Sequence, residues 1–161
     1  MKATPKSEDD MAGKHWIQYH TPDRMGYGID ECGIRESNTD ETKETEGMFS
    51  LVTKKDLGIH NPVGDVAWVV GKTQDVDSPV YLGWWFIVKD VVPSLDPNFL
   101  YQFVGEVGAS CFPQPIISNE PWYPRLLGMT GNFKFGLTEI NIRAVLDGLR
   151  TAATNVGCPL P

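Results

Sequence analysis

Asp65 to Val92, DVAWVVGKTQDVDSPVYLGWWFIVKDVV, is the stretch that decides the fold. It reads as two apolar strands joined by a short polar turn. Counting by twos, Val80, Leu82, Trp84, Phe86 and Val88 share one face, and Tyr81, Gly83, Trp85 and Ile87 share the other. A half-buried strand alternates apolar with polar residues, whereas this one is apolar on both faces. It therefore needs cover on both sides, as in a small barrel with helices packed outside. Gly83 falls where such a strand can bend sharply. Trp84 and Trp85, with apolar neighbours on both faces, are expected in the core.

Working outward, a first strand is predicted over Lys14 to His20 and a second over Met48 to Thr53. Pro93 and Pro97 end the hairpin, because proline cannot donate to a strand ladder. Phe99 to Phe103 reads as a further short strand or a helical turn. Residues 108–136, rich in Gly, Pro and aromatics, read as irregular, with room for one more short strand. The chain closes with a predicted helix. Asn141 is placed to cap it, and Ile142, Leu146, Leu149 and Ala153 fall on one helical face. Gly157 and Pro159 stop it. The expected fold class is α+β: a small, mostly antiparallel β-barrel with a C-terminal packing helix. Residues 1–13 are expected to be a flexible tail and residues 14–157 a single domain.

A chain of 161 residues with 41% hydrophobic residues can bury a real core. The net charge of −7 is unevenly placed. Residues 30–46, DECGIRESNTDETKETE, hold seven acids and two bases. Together with the acidic tail they leave a net charge of −1 for the remaining chain. The likeness to a solvated acidic loop over 30–46 rests on its Thr, Glu and Asp content. Bulk charge thus neither supports nor excludes a polyanionic ligand. The longest apolar run is too short for a bilayer, so no membrane partner is expected. The N-terminus lacks the apolar core of a signal peptide, and a cytoplasmic location is the expectation. The three cysteines, Cys32, Cys111 and Cys158, are far apart with no CxxC pair, which predicts free thiols.

Several short motifs carry a family likeness. They are Gly64-Asp65 before a strand, Val88-Lys89-Asp90-Val91 at the end of the next, and the Tyr19-His20 strand end. Met25-Gly26-Tyr27 and the late Gly131-Asn132-Phe133 and Gly136-Leu137 complete the set. Together with the strand order, Gly64-Asp65 and Val88-Lys89-Asp90-Val91 resemble the PUA-like superfamily, which includes EVE, ASCH, YTH and SRA modules. Tyr19-His20, Met25-Gly26-Tyr27, Gly131-Asn132-Phe133 and Gly136-Leu137 resemble motifs of small proteins, some of them fused to nucleases. The resemblance implies a PUA-like barrel and the reading of RNA or of modified DNA bases.

A reader of splayed bases needs aromatic faces for stacking and a few donors and acceptors for the base edge. Trp16, Tyr19, His20, Thr53, Lys54, Asn132 and Phe133 are the candidate ligand-binding residues. Each sits at a strand end or in a tight Gly turn, and Trp16, Tyr19, His20, Thr53, Lys54 and Asn132 are expected around one pocket. Trp16 or Tyr19 would stack, Lys54 would meet a phosphate, and His20 with Asn132 would read polar edges. Trp122, in a proline-rich turn, is expected to cover the core. The scattered His and Cys do not suggest a metal site, and no cofactor is implied. There is no Gly-x-Ser-x-Gly, phosphate loop or HExxH, so the sequence names no catalytic residue. Cys111 in ASCFPQP has no near His. Two functions follow as expectations. One is a module that binds DNA, RNA, a nucleotide or a modified base. The other is an acidic immunity- or inhibitor-type protein whose loop 30–46 engages a basic partner such as a nuclease.

Overall fold

The computed structural model describes residues 13–31, 49–55, 57–58 and 60–161. The tail over 1–12 and most of the acidic loop lie outside the described residues. In chain order the elements are β1 (His15–His20), a helical turn α1 (Pro22–Met25), a 3-10 turn at Ile29–Glu31, β2 (Phe49–Thr53), β3 (Val66–Gly71) and β4 (Tyr81–Ile87). They continue as β5 (Asp90–Pro93), β6 (Tyr101–Gly105), β7 (Gly108–Ser110), α2 (Tyr123–Thr130), β8 (Thr138–Glu139) and α3 (Arg143–Asn155).

The strands form two sheets, one of five strands in the order β7-β4-β3-β1-β8 and one of three in the order β2-β6-β5. Among the described residues these sheets do not close into the expected barrel. All pairs are antiparallel except β1 with β3, which is parallel from His15↔Val66 to His20↔Gly71. The chain leaves the first sheet at Val88 and enters the second at Lys89, whose N–H donates to the Val104 carbonyl. The α+β class is thus observed as a two-layered β-structure with helices on one side.

The predicted alternation in β4 breaks at Gly83. Val69 pairs with Trp84 but Val70 pairs with Leu82, so Gly83 is an extra residue in its strand. This bulge shifts the phase of everything before it. Val80 and Leu82 join Trp85 on the face covered by the helices. Tyr81, Trp84, Phe86 and Val88 lie on the face covered by the second sheet. A Cβ at Gly83 would stand 2.7 Å from Ile29 Cδ1, so any side chain there would displace the isoleucine of the 3-10 turn.

Both faces are buried, as the apolar composition of the hairpin demands. On one side Ile17, Trp68, Leu82 and Trp85 meet Leu126, Leu149 and Ala153. On the other, Val69, Trp84 and Phe86 meet Ile29, Leu51 and Phe103. Each fully buried large side chain contributes about 1.5–3 kcal/mol. The closing helix α3 buries Val145, Leu146, Leu149, Ala152 and Ala153. Its N-cap is Ile142, not Asn141, and no side chain caps it. Gly157 ends it with φ +75°, and the Cys158 N–H returns to the Ala153 carbonyl.

Helix α2 lies inside the stretch read as irregular. Pro124 sits in its first turn, where a missing N–H costs nothing. Trp122 precedes it and packs on the core, its ring lying directly over Gly148 of α3. A Cβ at Gly148 would stand 2.2 Å from Trp122 Cε2, so the two helices meet this closely because residue 148 has no side chain.

Candidate functional site

Strand β1 sends its residues alternately to the two faces. Tyr19 faces the helices, while Trp16 and His20 face the other way. The expected single pocket is therefore divided. Tyr19, Asn132 and Phe133 converge with Thr21, Lys72 and Tyr123 around an open cleft of about 340 Å³. Trp16 and His20 lie beyond the sheet, and Thr53 and Lys54 belong to the second sheet, at the end of β2. Alternation with a period of two makes this separation unavoidable for residues 16, 19 and 20.

The cleft is built at the end of the parallel pair. The register His20↔Gly71 brings the next residues, Thr21 and Lys72, to the same rim. The opposite wall is the end of α2. Gly131, Asn132 and Phe133 follow it with φ of +59°, +56° and +67°. Asparagine tolerates this region, but phenylalanine does not, and such a residue costs about 1–3 kcal/mol. The turn is held by the Asn132 N–H donating to the Leu127 carbonyl at 2.8 Å and the Phe133 N–H donating to Thr130 Oγ1 at 3.2 Å. Its effect is to lay the Phe133 ring on Tyr19, with centroids 4.6 Å apart and planes at 21°. Tyr123 stands 6.5 Å from Phe133 at 53°.

The electrostatics of the cleft are simple. Burial, and then the nearby Asp23 carboxylate, push the Tyr19 phenol above its ordinary value. Burial, and then Tyr19, do the same to Tyr123. Both rings therefore stay neutral and keep an O–H donor. Lys72 supplies the positive charge, and it makes no ion pair among the described residues. Two stacked rings, a third at their edge, an amide and an ammonium can together hold a planar group that carries an anion.

Residues on the inner face have other partners. The buried Asp65 carboxylate accepts from the Lys14 N–H at 3.0 Å, from Trp16 Nε1 at 2.9 Å and from His60 Nε2 at 2.7 Å. This knot ties the start of β1 to the start of β3 and occupies the Trp16 indole. His20 Nε2 pairs with the Tyr27 carbonyl at 2.8 Å, which assigns the ring proton to that nitrogen. Burial lowers the His20 pKa, against the opposing pull of that carbonyl and of Glu31. His20 is thus a neutral, packed ring, 5.0 Å from Tyr27 and 6.2 Å from Trp84. Thr53 is buried, and its hydroxyl accepts from the Lys55 N–H.

Cys111 and Cys158 face each other with sulfurs 3.0 Å apart in the core. Burial, and then the contact with Cys158, push the Cys111 thiol far up. It stays protonated and is not poised as a nucleophile. Among the described residues no cluster of three His, Cys, Asp or Glu could hold a metal, and no helix is long and apolar enough to cross a membrane.

Thr21, Lys72, Val80, Tyr123 and Leu127 line the cleft but were not among the candidate residues read from the sequence. The signal for Lys72 was its place directly after β3, as Thr21 follows β1, but only the parallel pairing puts those two ends together. No protein-family model, curated protein or solved structure matches the chain.

Proposed function

We propose that the protein is a binding module for a nucleobase or nucleotide, a modified base included, presented by single-stranded or opened nucleic acid. The observation that carries this reading is the strained Asn132-Phe133 turn, which lays an aromatic ring on Tyr19 beside Lys72. Backbone strain at a cleft lip persists only where the surroundings enforce it, and it clusters at ligand sites. In this reading the base packs against the Tyr19–Phe133 pair where it lines the cleft. The Asn132 amide meets its polar edge, and the Lys72 ammonium meets a phosphate. The role first assigned to Lys54 passes to Lys72. A PUA-like fold is part of the proposal, supported by the Gly64-Asp65 hairpin motif and by a sheet covered on both faces. The reading as an acidic interaction protein rests on loop 30–46, most of which lies outside the described residues, and no observation favours it.

The test is titration with short single strands and with duplexes carrying modified bases, at low and moderate salt. Lys72→Ala should weaken binding and reduce its salt dependence by about one counterion, whatever the base. Phe133→Ala should weaken binding at every salt concentration, by about 1–3 kcal/mol. Absence of binding to all of these at high micromolar protein would end the proposal.

A further inference from the structure

The helices meet the edge of the first sheet at two sulfur atoms. Cys111 directly follows β7, and its N–H donates to the Gly83 carbonyl at 2.9 Å, which extends the pairing of β7 with β4. Cys158 lies in the turn that ends α3, where its N–H donates to the Ala153 carbonyl at 2.9 Å. Each cysteine is thus anchored through its backbone to a different layer. Both side chains are buried in the core that joins the sheet to the helices. Their Sγ atoms lie 3.0 Å apart, although the residues are 47 positions apart in the chain.

A thiol is a weak donor and a weak acceptor, so this contact contributes little as a hydrogen bond. As the reduced form of a covalent pair it would do more. The two sulfurs need to approach by about 1 Å to reach bonding distance. The loop that such a bond closes, 111–158, contains α2, the Asn132-Phe133 turn, β8 and α3. It therefore takes in both helices that cover the sheet and one wall of the cleft. At its other end is β7, the edge strand of the sheet, which pairs with β4 alone.

We propose that Cys111 and Cys158 are a reversible disulfide site, oxidised by a small-molecule disulfide, that staples the helices to strand β7. Cys111 is fully enclosed, whereas Cys158 is 7% exposed and sits between the exposed Gly157 and Pro159. Cys158 therefore reacts first. Opening of residues 157–161 admits the oxidant and breaks the 2.7 Å hydrogen bond from Trp85 Nε1 to the Pro159 carbonyl. The Cys158 thiolate attacks one sulfur of the oxidant, whose S–S bond breaks, and the other half leaves as a thiolate. Cys111 then attacks Cys158 Sγ and displaces the second half. The protons of both cysteines end on the two departing sulfurs. Two protein thiols are thus oxidised, and one disulfide is reduced to two thiols. Burial, and then the contact with Cys158, keep Cys111 protonated, so the second attack is the slower one.

Oxidised glutathione is the probe. Cys32 lies outside the described residues and is removed as Cys32→Ser, with the parent chain run in parallel. Both proteins are unfolded in denaturant and refolded in a mixture of reduced and oxidised glutathione, so that access to the core does not limit the reaction. Peptide mapping should then show the Cys111–Cys158 bond. The oxidised protein should melt about 10 °C above the same protein treated with dithiothreitol, as closure of a loop of this length implies. Cys158→Ala should melt alike with and without dithiothreitol. Should Cys158→Ala fail to fold, the comparison of oxidised with reduced protein decides alone. Oxidation of the folded protein should pass through a glutathione adduct on Cys158. The proposal fails if both cysteines stay free after refolding, or if they carry glutathione without joining. It fails equally if the bond forms without raising Tm, or if the parent chain links Cys32 to either cysteine instead.

Discussion

Gly148 offers the sharpest test of how the cleft is held. The perturbation is Gly148→Ala in the middle of α3. Taken alone, alanine favours a helix over glycine by about 1 kcal/mol. Against that, the new methyl would stand 2.2 Å from Trp122 Cε2 and 2.3 Å from its Nε1. The indole must retreat by about 1 Å to reach ordinary contact. It is wedged between α3 and the residues that start α2, so the retreat drags α2 with it. Overpacking of this kind costs about 1–3 kcal/mol, and overlap with a rigid ring belongs at the upper end. The expected net loss is about 2 kcal/mol, or about 4–8 °C in Tm for a domain of this size. The assay is a double-mutant cycle with Trp122→Ala, read by denaturant melts. Without the indole only the helix preference remains, so Gly148→Ala should then stabilise by about 1 kcal/mol. The two backgrounds should thus differ in sign. Because α2 carries the Asn132-Phe133 turn, the single variant should also weaken ligand binding in the cleft. Equal destabilisation in both backgrounds would refute the reasoning.

Two further predictions follow from the inner face. Trp84→Ala opens a cavity worth about 3–5 kcal/mol but also removes a buried indole N–H that has no hydrogen-bond partner among the described residues, so a net loss of about 3 kcal/mol is expected in denaturant melts. A loss under about 1 kcal/mol would mean that the ring does not fill the space between the sheets. His20 has its folded pKa lowered below the ordinary 6.5, chiefly by burial, so the unfolded chain binds the proton more readily. Its contribution is present in full above 6.5 and is lost as pH falls from there through the folded value. Melts taken between about pH 8 and pH 5 should show that decline, and His20→Gln should flatten it. A slope unchanged by the substitution would place the titrating group elsewhere.

Much of the architecture was legible because it follows from local pattern. The β3–β4 hairpin, strand β1 and helix α3 all announce themselves by apolar period, although the expected second strand stops at Ile87 and Asp90–Pro93 form β5 in the other sheet. Three features did not. The bulge at Gly83 depends on the close approach of Ile29, a contact made across more than fifty residues that leaves no periodic trace. Helix α2 was hidden because its Pro, Gly and aromatic residues imitate loop composition, although Pro124 in a first turn is itself a helix signal. The parallel pairing of β1 with β3 is a long-range choice that two apolar strands do not specify by themselves. The same divide runs through the cleft. Tyr19, Asn132 and Phe133 were marked by strand end and Gly turn. Lys72 was not, since its place at the rim comes entirely from that parallel register.

The place of β1 within the sheet also sets the order in which the chain can assemble. Its neighbours are β3 on one side and β8 on the other, and Trp16 pairs with Glu139. The strand nearest the start of the described chain thus waits for a partner that emerges more than a hundred residues later. A nascent chain can form the β3–β4 hairpin early, but β1 can be enclosed only once the last third has been made. Loop-closure entropy must be met before such distant pairs reward it, which slows folding to milliseconds or longer in comparable β-rich topologies. Until β8 arrives, β1 presents an open strand edge, so refolding at high concentration should favour intermolecular pairing there.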